Sequence, residues 1–193
     1  MNPASGPGSR YEAAYAEEAA RARRRGVIVL GYVHTRRGQR PPGEVRQDID
    51  RWHEWYQVDD VFFDEASAGC EALPHYRALS DYVRAHGGKV VLNPGAAPGE
   101  CYLAVADVVI TFESGWAAYQ RWAPPAWAAG YPPERFWHLV YGVGDEALDA
   151  ALRLARERRA GWLYLTPDDL PNPWDSLPPE AYWTRERRAV RRR

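Results

Sequence analysis

The sequence predicts an α/β protein, a parallel (β/α) barrel of the TIM type. Three observations lead there. Six short apolar runs alternate with helical segments, which is the pattern of parallel βα units. Polar and acidic residues stand at the tips of many different strands, as in a barrel whose site is assembled from several strand ends. No strand is followed by a Gly-rich phosphate turn, so an open, doubly wound dinucleotide fold has no support.

Composition sets the bounds. The chain has 193 residues, 46% hydrophobic and 26% charged, with net charge −1. That is enough for one domain with a core, and there is no basic field to recruit nucleic acid or a membrane surface. No apolar stretch approaches the roughly 20 residues of a membrane span. Nine Trp and twelve Tyr are unusual; such residues suit stacking on sugar rings, or simply fill a core. No Cys/His spacing resembles a zinc site, and no metal or other cofactor is expected.

In chain order, residues 1–8 form a loop by their Asn, Pro and Gly content. Residues 11–25 are rich in Ala, Glu and Arg and read as a helix stopped by Gly26. Residues 27–33 read as a buried strand tipped by His34. A helix over 44–56 places Val45, Ile49, Trp52 and Tyr56 on one face. Residues 60–64 are the strand with the plainest chemistry, since Val61-Phe62-Phe63 runs into Asp64-Glu65. A helix over 72–85 leads to a strand at 89–93, and a second acid-tipped strand over 107–112 ends at Glu113. Residues 114–122 read as helical, 136–141 as a strand, 145–159 as a strong helix and 161–166 as the last strand. A Pro-rich loop runs from Pro167 to Trp183, and 184–193 is an Arg-rich end expected to be frayed or disordered.

Two strands that deliver carboxylates at their C-terminal ends are what a carboxylate-pair hydrolase needs. Asp64 and Glu65 are adjacent, so along a strand they point to opposite sides. Asp64 is read as nucleophile or electrostatic stabiliser, Glu113 as general acid/base and Glu65 as their neighbour; exchange of the Asp64 and Glu65 roles stays open. Tyr32, His34, Asn93, Tyr141, Asp168 and Asp169 stand at other strand tips as supporting or substrate-binding candidates, with Trp116 and Trp174 as sugar platforms. Asn93 precedes Pro94, so turn chemistry is the competing reading for it. Cys70 and Cys101 fall in loops expected on one face, either bridged or as two thiols. A Schiff-base enzyme is disfavoured, because Lys89 is the only lysine and it begins a strand.

The ordered set Gly31-Tyr32-Val33-His34-Thr35, Asp48-Ile49-Asp50, Trp55-Tyr56, Phe62-Phe63-Asp64-Glu65, Asn93-Pro94-Gly95, Thr111-Phe112-Glu113 and 171–178 resembles the spherulation-specific family 4. The resemblance implies a TIM-barrel glycoside hydrolase that cleaves α-1,4-linked galactosamine or N-acetylgalactosamine polysaccharide. It also implies two βα units ahead of the Asn2–Gly8 loop, which Asn93–Gly99 echoes. The expectation is therefore an incomplete barrel over residues 1–183, with six of eight units. The alternative function is a carbohydrate-binding or structural barrel without catalysis. The expected partner is a polysaccharide or oligosaccharide, with secretion if the complete N-terminus carries a signal.

Overall fold

The computed structural model describes residues 1–191. The described chain is an α/β protein with a six-stranded sheet in chain order, β1 (Gly31–His34), β2 (Val61–Asp64), β3 (Val90–Leu92), β4 (Val108–Gly115), β5 (Phe136–Tyr141) and β6 (Trp162–Leu165). The pairings β1–β2, β2–β3, β3–β4 and β5–β6 are parallel. The α-helices are α1 (Ala13–Arg24), ahead of β1, α2 (Pro42–Tyr56), α3 (Leu73–Ala85), α4 (Trp116–Arg121) and α5 (Leu148–Glu157), between strands, and α6 (Glu180–Arg191), after β6. The chain divides into two compact units, one ending at Val109 and one beginning at Ile110, so β4 contributes to both.

In the first unit, α2 buries Val45, Asp48, Ile49, Trp52 and Tyr56, the expected apolar face with one acid added. Asp48 is tolerated there because Arg40 pairs with it at 2.7 Å and Arg51 at 3.6 Å. Trp52 lies flat over Gly31 and donates its indole N–H to the Tyr32 carbonyl (3.0 Å). A Cβ at Gly31 would meet the indole at 2.6 Å, which is why the strand opens with glycine. Acids also pin the strands at their amino ends. Asp60 accepts from Lys89 N–H (2.8 Å) and Asp107 from Val90 N–H (2.9 Å).

The first strand is shorter than its apolar run. Residues 27–30 do not pair, and Val27 and Ile28 are 54% and 55% exposed. Pairing with β2 begins only at Gly31↔Val61, and apolar character alone does not make a strand without a partner. Met1 lies beside this point, donating its amino group to Leu30 O (2.6 Å) and accepting from Tyr32 N–H (3.0 Å).

In the second unit, Phe112, Tyr119, Val140, Leu148, Ala151, Leu152, Leu165 and Tyr182 form one packed core. Strand β4 continues to Gly115, past the expected end, so Glu113 sits within the strand rather than at its tip. The Arg-rich end is also more regular than its composition implied. Residues 180–191 form α6, because Tyr182, Glu186 and Ala189 recur at helical spacing and pack inward while Arg185, Arg187 and Arg188 face out. The remainder of that expected frayed segment, 192–193, lies outside the described residues.

Candidate active site

Asp64 is held at both carboxyl oxygens. Its Oδ2 accepts from the Tyr32 hydroxyl at 2.7 Å, and its Oδ1 accepts from the Asn93 side-chain amide at 2.8 Å. Register explains the convergence. Tyr32 pairs with Phe62, and their rings stack at 6.1 Å; Asp64 lies two residues on, on the same face, within reach of the phenol. Phe63 pairs with Leu92, so the next residue on each strand, Asp64 and Asn93, stand side by side. Both carboxyl oxygens are used as acceptors, which fixes the group in rotation as well as position.

Asn93 takes the turn role considered for it and also holds Asp64. It is 3% exposed, its Oδ1 accepts from Gly95 N–H (3.0 Å) in the turn, and its amide reaches Asp64. Glu65, by contrast, has left the strand. It has a left-handed φ of 50° and an exposed side chain, and its carbonyl accepts from Arg37 N–H. A non-glycine residue in that region stores about 1 kcal/mol or more of strain, a recurrent feature of functional strand ends.

The turn is held by residues that the sequence did not single out. Thr35 Oγ1 lies 3.0 Å from the carbonyls of both Asp64 and Glu65 and 2.8 Å from the Tyr76 hydroxyl, which also accepts from Ser67 N–H (3.1 Å). Burial pushes the Tyr76 phenol up, which keeps this hydroxyl chain neutral. A Thr immediately after a strand-end His was the available signal. Next to this turn, Cys70 and Cys101 form a disulfide with Cα atoms 6.1 Å apart, and Gly99 N–H bonds Ala68 O across the same two loops. His34 turns its Nδ1 to the Ser5 carbonyl (3.0 Å), tying the first loop to β1.

The second unit carries the other candidates. Glu113 and Gly115 lie on one face of β4 by alternation. A Cβ at Gly115 would come within 3.0 Å of the Tyr141 ring, so glycine admits that ring against the strand. Trp174 stands edge-on to Tyr141 at 5.9 Å and tilted against Tyr164 at 5.9 Å. The loop bearing Trp174 is bound internally. Asp168 Oδ2 accepts from the Ser176 hydroxyl (2.8 Å), Asp169 Oδ1 accepts from Leu170 N–H (2.8 Å), and Tyr164 donates to Ser176 O (2.8 Å). Both acids thus order the loop. Trp116 is half-buried and leans on Tyr119 at 6.2 Å, so much of its ring packs against the core.

His138, unmarked by the sequence reading, is fully buried in β5. Its Nδ1 meets the Tyr119 hydroxyl at 2.7 Å and its Nε2 meets Thr111 Oγ1 at 3.0 Å. Burial, with the Arg158 guanidinium next in effect, lowers it to about 3, so the ring is neutral. One ring nitrogen donates and the other accepts, and the histidine serves as a two-ended brace between β4 and α4. Among the described residues, no group of three or more His, Cys, Asp or Glu could hold a metal ion.

A parallel α/β protein with a carboxylate fixed at a strand's C-terminal end, and with aromatic rings and a second acid on later strands, has the layout of the strand-end α/β enzymes and binding proteins. The chain belongs to the spherulation-specific family 4, whose sequence profile matches residues 1–190. It is 33% identical over 137 residues to Spherulin-4 of Physarum polycephalum, a match that covers 65% of this chain and 41% of that protein. The chain therefore spans well under two thirds of the length of that relative. It is also similar to the crystal structure of Aspergillus clavatus Sph3 in complex with GalNAc. The TM-score is 0.82 at 25% identity, over 98% of this chain and 83% of that one.

Proposed function

We propose that this chain is a glycoside hydrolase-like protein of the (β/α)-barrel class, acting on α-1,4-linked galactosamine or N-acetylgalactosamine polysaccharide through a carboxylate pair. The observation that carries the reading is the clamped carboxylate: Asp64, with both oxygens engaged by Tyr32 and Asn93 at a strand's C-terminal end. A group held in this way is suited to attack or to stabilise a developing oxocarbenium ion. Glu113 is the proposed general acid/base. Glu65, exposed on the strained turn, is the neighbouring acid that meets an amino sugar. Support for the substrate class comes from the GalNAc bound by the similar Sph3 structure.

A second reading, sugar binding without turnover, is favoured by the grouping of Trp174, Tyr141 and Tyr164, whose rings suit a pyranose face. One experiment separates the two. The chain is incubated with an α-1,4-galactosamine polysaccharide, new reducing ends are counted, and GalNAc-oligosaccharide binding is measured by calorimetry. Cleavage that Asp64→Asn and Glu113→Gln each abolish, with binding kept, supports the hydrolase. Binding without cleavage by the wild type supports the second reading. Near-normal turnover in either variant removes that residue from its role and makes Glu65 the next to test.

A further inference from the structure

Helix α6 buries a carboxylic acid against the outermost strand of the sheet. Glu186 is 3% exposed, one turn after the buried Tyr182. Strand β6 ends the strand order and pairs with β5 on one side. Thr166 N–H bonds Val140 O on that side at 3.1 Å, so backbone alternation turns the Leu165 N–H to the other. That outward N–H bonds the Glu186 carboxyl. Glu186 Oε2 and the Tyr182 hydroxyl have no hydrogen-bond partner among the described residues.

We propose that Glu186 is a proton-dependent latch, holding α6 over the open edge of β6 when its carboxyl is protonated and loosening the helix when it ionises. A buried carboxylate with one unpartnered oxygen is costly, whereas the neutral acid leaves only a weak donor to place. Burial accordingly pushes Glu186 up to about 7, with the Leu165 N–H pulling the other way. The neighbouring groups leave the charge uncompensated. Tyr164 on β6 and Tyr182 on α6 are phenols pushed up chiefly by burial, with Glu186 adding to the rise in both, behind Asp168 in the case of Tyr164. From the α5 side, Asp145 and Asp149 are both paired with Arg185, and Arg156 donates to the Ala189 carbonyl. No cation is directed at Glu186 among these. The loop that carries Asp168 and Trp174 joins β6 to α6, so it is anchored at one end by the latch.

Hydrogen exchange of the whole chain, followed by mass spectrometry from pH 5 to 7.5 and corrected for intrinsic rates, tests the proposal. Opening of the 180–189 segment should rise by up to about tenfold per pH unit between roughly pH 5 and 7, then level off. Glu186→Gln should remove that slope while peptides covering β5 exchange as in the wild type. Wild-type opening that is independent of pH, or a Glu186→Gln profile that keeps the slope, overturns the latch. If Glu186→Gln disturbs folding, the 13C carboxyl titration of wild-type Glu186 decides. A midpoint near 7 supports the latch, and one near the ordinary glutamate value of about 4.3 overturns it.

Discussion

Gly31→Ala tests the strand–helix contact beneath the candidate site. The new methyl would lie 2.6–2.8 Å from Cγ, Cδ2 and Cδ1 of Trp52, the root of the indole rather than a mobile end. The ring is fully buried, so it can move only by disturbing α2. Forced overpacking of this kind costs about 1–3 kcal/mol. Displacing the ring also breaks the bond from Trp52 Nε1 to Tyr32 O, for about 1 kcal/mol more. The expected loss is about 2–4 kcal/mol, a large share of a typical domain's 5–15 kcal/mol. Urea unfolding followed by tryptophan fluorescence measures it. Gly43→Ala is the control, since nothing lies within 4 Å of its added Cβ in the first turn of α2; it should be neutral or stabilising by up to about 1 kcal/mol. A Gly31→Ala loss below about 0.5 kcal/mol, or one equal to the control, refutes the contact argument.

Removal of the Cys70–Cys101 bridge, by Cys70→Ser/Cys101→Ser or by reductant, should cost about 3–4 kcal/mol for a sequence separation of 31 in the chain-entropy view. Denaturant midpoints with and without reductant check it, and the double variant should no longer respond to reductant. Stability should tilt with pH in two opposed directions. His138 is depressed when folded, so the unfolded chain binds the extra proton and stability is lost as pH falls from about 6.5 toward 3. Glu186 is raised when folded, so its contribution is lost as pH rises from about 4.5 to 7, by about 3 kcal/mol at most. Urea midpoints from pH 4 to 8 should show Glu186→Gln flattening the second limb and leaving the first. Trp174→Ala should weaken GalNAc-oligosaccharide binding by roughly 0.5–1.5 kcal/mol, about twofold to tenfold, in a calorimetric titration.

The parts of this molecule that repeat locally are legible in the sequence alone. Val45, Ile49, Trp52 and Tyr56 mark one face by spacing alone, and α2 buries all four. The six strands and their order of appearance follow from apolar runs punctuated by glycine and proline. What depends on pairing was not legible. Val27 to Leu30 look like strand residues, and only the register with β2 shows that they precede it. The Asn93 contact with Asp64 joins residues 29 positions apart and becomes visible once Phe63 is set beside Leu92. The approach of Cys70 and Cys101 was legible, since each follows a strand end by a few residues, and the bridge between them decides the choice that the sequence left between a disulfide and two thiols. In α6, arginine content hid a stripe of three inward residues.

The strand order also bears on how the protein is made. Gly31 pairs with Val61, Val61 with Val90, and Val91 with Val108, so each newly synthesised strand meets a neighbour that preceded it by a single βα unit. Pairing can follow synthesis in the N-to-C direction, with modest loop closures and no wait for a distant partner. In that sequence the Tyr32 hydroxyl, on the strand made first, is available to Asp64 before Asn93 is synthesised. The candidate nucleophile thus draws its two partners from opposite sides in the order of synthesis, Tyr32 from β1 and Asn93 from the end of β3.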